Sequence, residues 1–193
     1  VMSELLANKI AAGEVVERVL SVVKELVENA IDAGSDEVIV ELKESGLREI
    51  KVIDNGKGMD WEDAHNAFLR HATSKLLDED DLFNISSLGF RGEALPSIAS
   101  VSEVELKTCY KDEEVGTYLH IKGGKILEEE KTASRVGSSF RVTNLFYNTP
   151  ARLKHLSSSY AELGNVIDYM NKIALSYTNI RFILKNDDRE LLN

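Results

Sequence analysis

The sequence predicts an α+β fold: one mixed, mostly antiparallel sheet with helices packed on one of its faces. Three observations lead there. Strand-like stretches come in adjacent pairs around tight turns, as at Glu44-Ser45-Gly46 and Gly123-Gly124. Two long segments, Ser21–Ala33 and Ser159–Tyr177, carry apolar residues at helical spacing. The helices and strands do not alternate strictly, which argues against a doubly wound parallel sheet.

Each element has its own signal. In Ser21–Ala33, Val22, Val23, Leu26, Ala30 and Ile31 recur on one face, and Gly34 stands where a helix stops. Glu37–Lys43 and Glu49–Asp54 read as strands joined in a hairpin. Asn55–Gly58 is a loop punctuated by glycine, and Asp60 is placed to cap a helix running through Leu69. Phe83–Gly92 reads as a loop and Glu93–Ser100 as a short helix despite Pro96. Val101–Tyr110, Gly116–Lys122, Lys125–Lys131 and Ser138–Leu145 read as successive strands. In Ser159–Tyr177 the side chains of Leu163, Val166, Ile167, Met170, Ile173 and Ala174 form the inward stripe, and Asn179–Lys185 is a last strand.

The 193 residues suit a single domain with one core. No apolar run approaches the roughly 18 residues that span a bilayer, so no membrane association is expected. Cys109 is the only cysteine, which excludes an internal disulfide and fits a reducing cytoplasmic setting. A net charge of -10 argues against extended contact with nucleic-acid phosphates. Arg152, Lys154 and His155 make only a small basic patch.

Neither a Walker loop nor a dinucleotide fingerprint is present. Other residues can nonetheless do nucleotide chemistry. Glu25 and Asn29 lie four apart and share a helix face, where a carboxylate can take a proton from water and an amide oxygen can ligate Mg²⁺. Taken alone, such a pair is ordinary solvated helix surface. In Asp54-Asn55-Gly56-Lys57-Gly58-Met59, the carboxylate at a strand end can accept from an exocyclic amino group, and the glycines permit close backbone approach. A plain turn is the equal alternative. Leu88-Gly89-Phe90-Arg91-Gly92-Glu93-Ala94-Leu95 opens a helix and can cradle phosphate, or can be a simple surface loop. His71-Ala72-Thr73-Ser74-Lys75 and Gly137-Ser138 add hydroxyls.

In this order, the four sets resemble the ATP-site motifs of the GHKL, or Bergerat-fold, ATPases. That family includes gyrase-type topoisomerases, heat-shock chaperones, histidine kinases and MutL-type mismatch-repair proteins. The stretches Asn8–Arg18, Arg70–Lys75 and Phe146–Arg152 are similar to the MutL type and not to its cousins.

The resemblance implies a GHKL ATP-binding domain over residues 1–193, with a second domain and a C-terminal dimerisation domain expected elsewhere in the native protein. It implies ATP as ligand and Mg²⁺ as cofactor. Glu25 is then the general base and Asn29 the metal ligand. Asp54 holds the adenine amino group beside Ala33, Gly58 and Met59. Thr73 and Ser138 supply hydroxyls, and Gly89, Phe90, Arg91, Gly92 and Leu95 close over the phosphates. The stretch around Ile10 to Gly13 orders against a partner subunit when ATP binds.

The implied activity is slow ATP hydrolysis acting as a dimerisation switch in DNA mismatch repair. Implied partners are a second copy of the chain, a mismatch-recognition protein and other repair factors, with DNA held mainly by regions outside this chain. The alternatives are a nucleotide-sensing module without turnover, or a topoisomerase- or chaperone-type relative. Two departures stand out: Val19 and Leu20 replace the family's usual Pro and small residue, and Ser138 stands where Thr is common. The family's γ-phosphate lysine lies in the second domain, so weak turnover is expected of this chain.

Overall fold

The structure is a computed structural model and describes residue 10, residues 12–69 and residues 94–193. Among these residues eight strands form one sheet: β1 (Glu37–Lys43), β2 (Glu49–Asp54), β3 (Glu103–Cys109), β4 (Gly116–Lys122), β5 (Lys125–Thr132), β6 (Gly137–Thr143), β7 (Arg181–Asn186) and β8 (Arg189–Leu192). The helices are α1 (Val19–Asp32), α2 (Trp61–Asn66), α3 (Ala94–Ser100), α4 (Pro150–His155) and α5 (Ser159–Ser176). The strand order is β5-β4-β3-β6-β2-β1-β7-β8. Only the β1–β7 pairing is parallel, made possible by the long crossover through α4 and α5.

Strand alternation puts every second side chain of β1, β2, β3, β4, β6 and β7 on the helix-covered face. The registers align these side chains into rows across the sheet. Leu42, Ile50, Val142, Val104 and Ile121 form one row. Val40, Val52, Phe140, Leu106 and Leu119 form the next, and all ten residues are buried. In the third row Val38 is followed by Asp54, Ser138, Thr108 and Thr117. The core thus turns polar at one end of the sheet.

The opposite face is charged and paired. Arg141 binds both Glu49 and Glu105, Tyr118 donates to Glu105, and His120 lies 2.7 Å from Glu103. Those partners hold the Glu105 carboxyl below its usual range against the opposing effect of burial, and the His120 contact does the same for Glu103.

Helix α1 presses Val19, Val22, Val23, Leu26, Val27 and Ala30 into the core. It begins two residues earlier than the apolar pattern indicates. The Ser21 hydroxyl reaches back to accept the N–H groups of Glu17 and Arg18, so this serine stabilises the helix start from inside the first turn. The stop is where Gly34 predicts it. Gly34 adopts φ +75°, its N–H bonds Ile31 O, and Ser35 donates to Ala30 O through both its amide and its hydroxyl.

The β1–β2 connection is a 3₁₀ turn in which the non-glycine residues Glu44 and Ser45 have φ of 51° and 61°. That strain is offset by outside partners: Asp187 accepts the Glu44 N–H, Asn186 accepts the Ser45 N–H, and the Ser45 and Ser159 hydroxyls share a bond.

Candidate nucleotide site

The polar row lies beside the C-terminal end of α1 and the loop that follows β2. Asp54 ends β2 with Oδ1 accepting the Gly56 N–H at 2.9 Å and the Ser35 hydroxyl at 3.4 Å. Burial pushes its carboxyl above the usual value, while hydrogen bonds from the amides of Gly56 and Ser138 and from Ser35 pull it back. An ionised carboxylate kept here at a cost is a strong acceptor in a partly dry setting.

The loop is tied on three sides. Lys57 N–H bonds Ala33 O, Lys111 N–H bonds Lys57 O, and Met59 N–H bonds the Thr108 hydroxyl at 3.0 Å. Asn55 Oδ1 accepts the amides of Asp36 and Glu37. The glycines here serve the protein's own packing. A Cβ on Gly56 meets Ala33 and Ser35 at 2.7–2.8 Å, and one on Gly58 (φ +67°) runs into the carbonyl of Cys109.

Of the sequence-predicted residues, the structure gathers Asn29, Ala33, Asp54, Gly58, Met59 and Ser138. Ala33 N–H bonds Asn29 O, so Asn29 is one turn from the loop anchor. Glu25 is half-buried one turn earlier on the same helix face. Tyr169 of α5 approaches that region: burial and the charges of Glu28 and Glu25 push its hydroxyl far above its usual range. Leu95 is half-buried in α3, packed against the core. Thr73, Gly89, Phe90, Arg91 and Gly92 lie outside the described residues.

Sequence reasoning missed Ser35 and Thr108. Thr108 was detectable in principle, because a hydroxyl occupies a strand position whose alternation calls for an apolar side chain. Among the described residues there is no cluster of three or more His, Cys, Asp or Glu able to hold a metal, and no helix long and apolar enough to cross a membrane.

A carboxylate on a polar row, a loop packed against a helix end, and no Walker loop describe the Bergerat arrangement. Residues 17–145 match the family of histidine kinase-, DNA gyrase B-, and HSP90-like ATPases, and the chain belongs to that family. Within it, the likeness is to MutL. The chain is 57% identical over 97% of its length to the DNA mismatch repair protein MutL of Bacillus licheniformis, and 56% identical over 99% to that of Lactococcus lactis. It spans 29% of the length of each of these relatives. The structure resembles that of the Aquifex aeolicus MutL ATPase domain complexed with ADP, with a TM-score of 0.73 and 31% identity over 92% of this chain and 63% of that one. A crystal structure of the N-terminal domain of a DNA repair protein matches with a TM-score of 0.80 and 28% identity, over 96% of this chain and 54% of the other.

Proposed function

We propose that this chain binds ATP with Mg²⁺ and hydrolyses it slowly, as the nucleotide switch of a MutL-type mismatch-repair protein. The observation that carries the reading is the buried, ionisable Asp54 in register with Ser138, at the point where the α1 C-terminus and the Asp54–Met59 loop meet.

Asp54 is the acceptor for the adenine amino group, an interaction that a carboxylate partly withdrawn from water makes strongly. Ser138 faces the adjoining base edge, and Ala33, Gly58 and Met59 line the base pocket. Asn29 supplies the metal's protein oxygen. Its amide suits a hard cation, and the lack of an acidic cluster among the described residues fits an ion that takes its other ligands from phosphate and water. Bound there, Mg²⁺ would neutralise phosphate charge. Glu25, one turn from Asn29, orients the attacking water and takes its proton. Thr73 and the Gly89–Gly92 segment with Leu95 are assigned to the phosphates on the family resemblance.

The whole chain, residues 1–193, is one ATP-binding domain in this reading. ATP draws two copies together through the segment around Ile10 to Gly13, and hydrolysis releases them. The mismatch-recognition protein, other repair factors and DNA engage chiefly through other regions of the full-length protein, in the cytoplasm.

Calorimetric titration of ATP, with and without Mg²⁺, tests the reading on the chain and on Asp54→Ala. Saturable binding that the variant loses supports it. Unchanged binding by the variant removes Asp54 from the base pocket, and brisk turnover by the chain alone contradicts the expected need for a second domain.

A further inference from the structure

Thr108 is fully buried in β3, and its hydroxyl stands at a junction. It lies 3.0 Å from the Met59 amide nitrogen, 3.0 Å from the Gly137 carbonyl oxygen and 2.9 Å from the Ser138 hydroxyl. Two of these bonds have a fixed direction, since an amide N–H only donates and a carbonyl only accepts. The third does not. When the Thr108 proton goes to Gly137, Ser138 must donate to Thr108 and offers only lone pairs on its other side. When the Thr108 proton goes to Ser138, the Ser138 proton is freed to donate elsewhere.

We propose that Thr108 is a positioning residue that sets the polarity of the Ser138 hydroxyl and so the preference of the site for adenine over guanine. This rests on the ATP reading above, in which Asp54 and Ser138 share the base edge. Beside its amino group, adenine presents a ring nitrogen that accepts, so Ser138 must donate there, directly or through a water. Guanine presents an N–H at that position and a carbonyl oxygen in place of the amino group, the reverse pattern. By donating to Ser138, Thr108 strengthens Ser138 as a donor, because chained hydrogen bonds polarise one another. It does so from a fixed place. The Met59 amide holds its other side, and the β3–β6 register sets it directly opposite Ser138. Thr117, next in the same row, is also fully buried, and its hydroxyl meets no partner among the described residues. The row therefore ends in a hydroxyl that cannot compete for the Thr108 proton through a bond of its own.

The test compares Thr108→Val, which keeps the shape and loses the hydroxyl, with Thr108→Ser, which keeps it. ATP and GTP affinities are measured by calorimetry, together with the nucleotide-free melting temperature. The valine variant is expected to bind ATP about tenfold more weakly, the cost of one lost hydrogen bond and its orphaned partner. GTP is expected to change less, so the ATP-to-GTP ratio narrows. The serine variant restores the ratio. Should the valine variant fail to fold, Thr108→Cys, a similar-sized and weaker donor, carries the same expectation. Equal losses for ATP and GTP, tracking a fall in melting temperature, would reduce Thr108 to a structural residue and overturn the proposal. If the unaltered chain binds neither nucleotide, the ATP reading falls and this inference with it. If it binds ATP and the variants keep its ratio, only this inference falls.

Discussion

The contact between Arg152 and the N-terminal segment yields a sharp test of what holds that segment in place. Arg152 Nη1 donates to Ala12 O at 3.0 Å and to Val16 O at 3.1 Å. The guanidinium lies so close over Gly13 that a Cβ there would collide with it. Ala12 and Val16 are themselves fully buried. Two stretches that mark the MutL type, Asn8–Arg18 and Phe146–Arg152, are thus joined by one side chain just ahead of the helix that carries Glu25. A hydrogen bond from a charged donor contributes about 1.5–3 kcal/mol. Ala12 O also accepts the Val16 N–H at 2.8 Å, so Arg152→Ala orphans mainly Val16 O. The expected loss is that of one such bond, about 2 kcal/mol, or roughly a 30-fold increase in local opening. Hydrogen exchange read by mass spectrometry should show residues 12–18 exchanging about 30-fold faster, with the β1–β2 ladder unchanged. Gly13→Ala, which displaces the same guanidinium, should reproduce the effect. Unaltered exchange in residues 12–18, or uniform acceleration across the sheet, would refute the idea that Arg152 anchors this segment.

Three further outcomes follow from the site. Asp54 has its pKa raised by burial, so its ionised form destabilises the ligand-free fold at neutral pH; that cost disappears as pH falls through the folded value toward the ordinary 3.8. Asp54→Asn should therefore melt no lower than the unaltered chain at pH 7, its advantage should shrink toward pH 4, and ATP binding should be lost; a melting temperature well below the original at pH 7 would contradict this. Gly58→Ala forces a side chain into φ +67° and into the Cys109 carbonyl, and should cost about 3 kcal/mol or more in denaturant titrations, with a loss under 1 kcal/mol arguing against the tight loop packing. Glu25→Ala should abolish whatever phosphate release the chain shows while leaving ATP affinity within a few fold; phosphate release persisting at the original rate would remove Glu25 from the chemistry.

The sheet was largely legible because its strands obey period two with one face buried. β1, β2 and β4 begin and end where alternation and the Gly123-Gly124 turn place them, and β3, β5 and β6 shift by only one or two residues. What escaped were α4 and β8, for a common reason. None of the six residues of α4 is buried, and β8 is a four-residue edge strand with none buried either, so neither carries a periodic apolar signal. The turn into β8 is built on Asp187 and Asp188, at φ of 48° and 65°. That is the geometry of a two-residue hairpin turn formed without the glycine that usually announces it. Both elements exist through their neighbours: α4 through Arg152 and the N-terminal segment, β8 through its pairing with β7.

The candidate site was legible only as separate pieces, because its defining relation is register, which a local sequence pattern does not contain. Asp54 and Ser138 stand out individually; that they sit opposite each other, with Thr108 and Thr117 continuing the line, depends on which residues three antiparallel pairings bring together. The apolar rows on either side of Val52 and Phe140 lie under the buried stripe of α1, which ends at Asp32. The polar row begins where that cover gives way to the Ala33–Gly34 turn and the glycine loop. Buried hydroxyls and a carboxylate in that place are costly unless they find partners, and here the protein supplies only some of them. A sheet that is sealed by a helix along two rows and left polar on the third has traded core stability at one end for a surface that a base with its own donors and acceptors can complete.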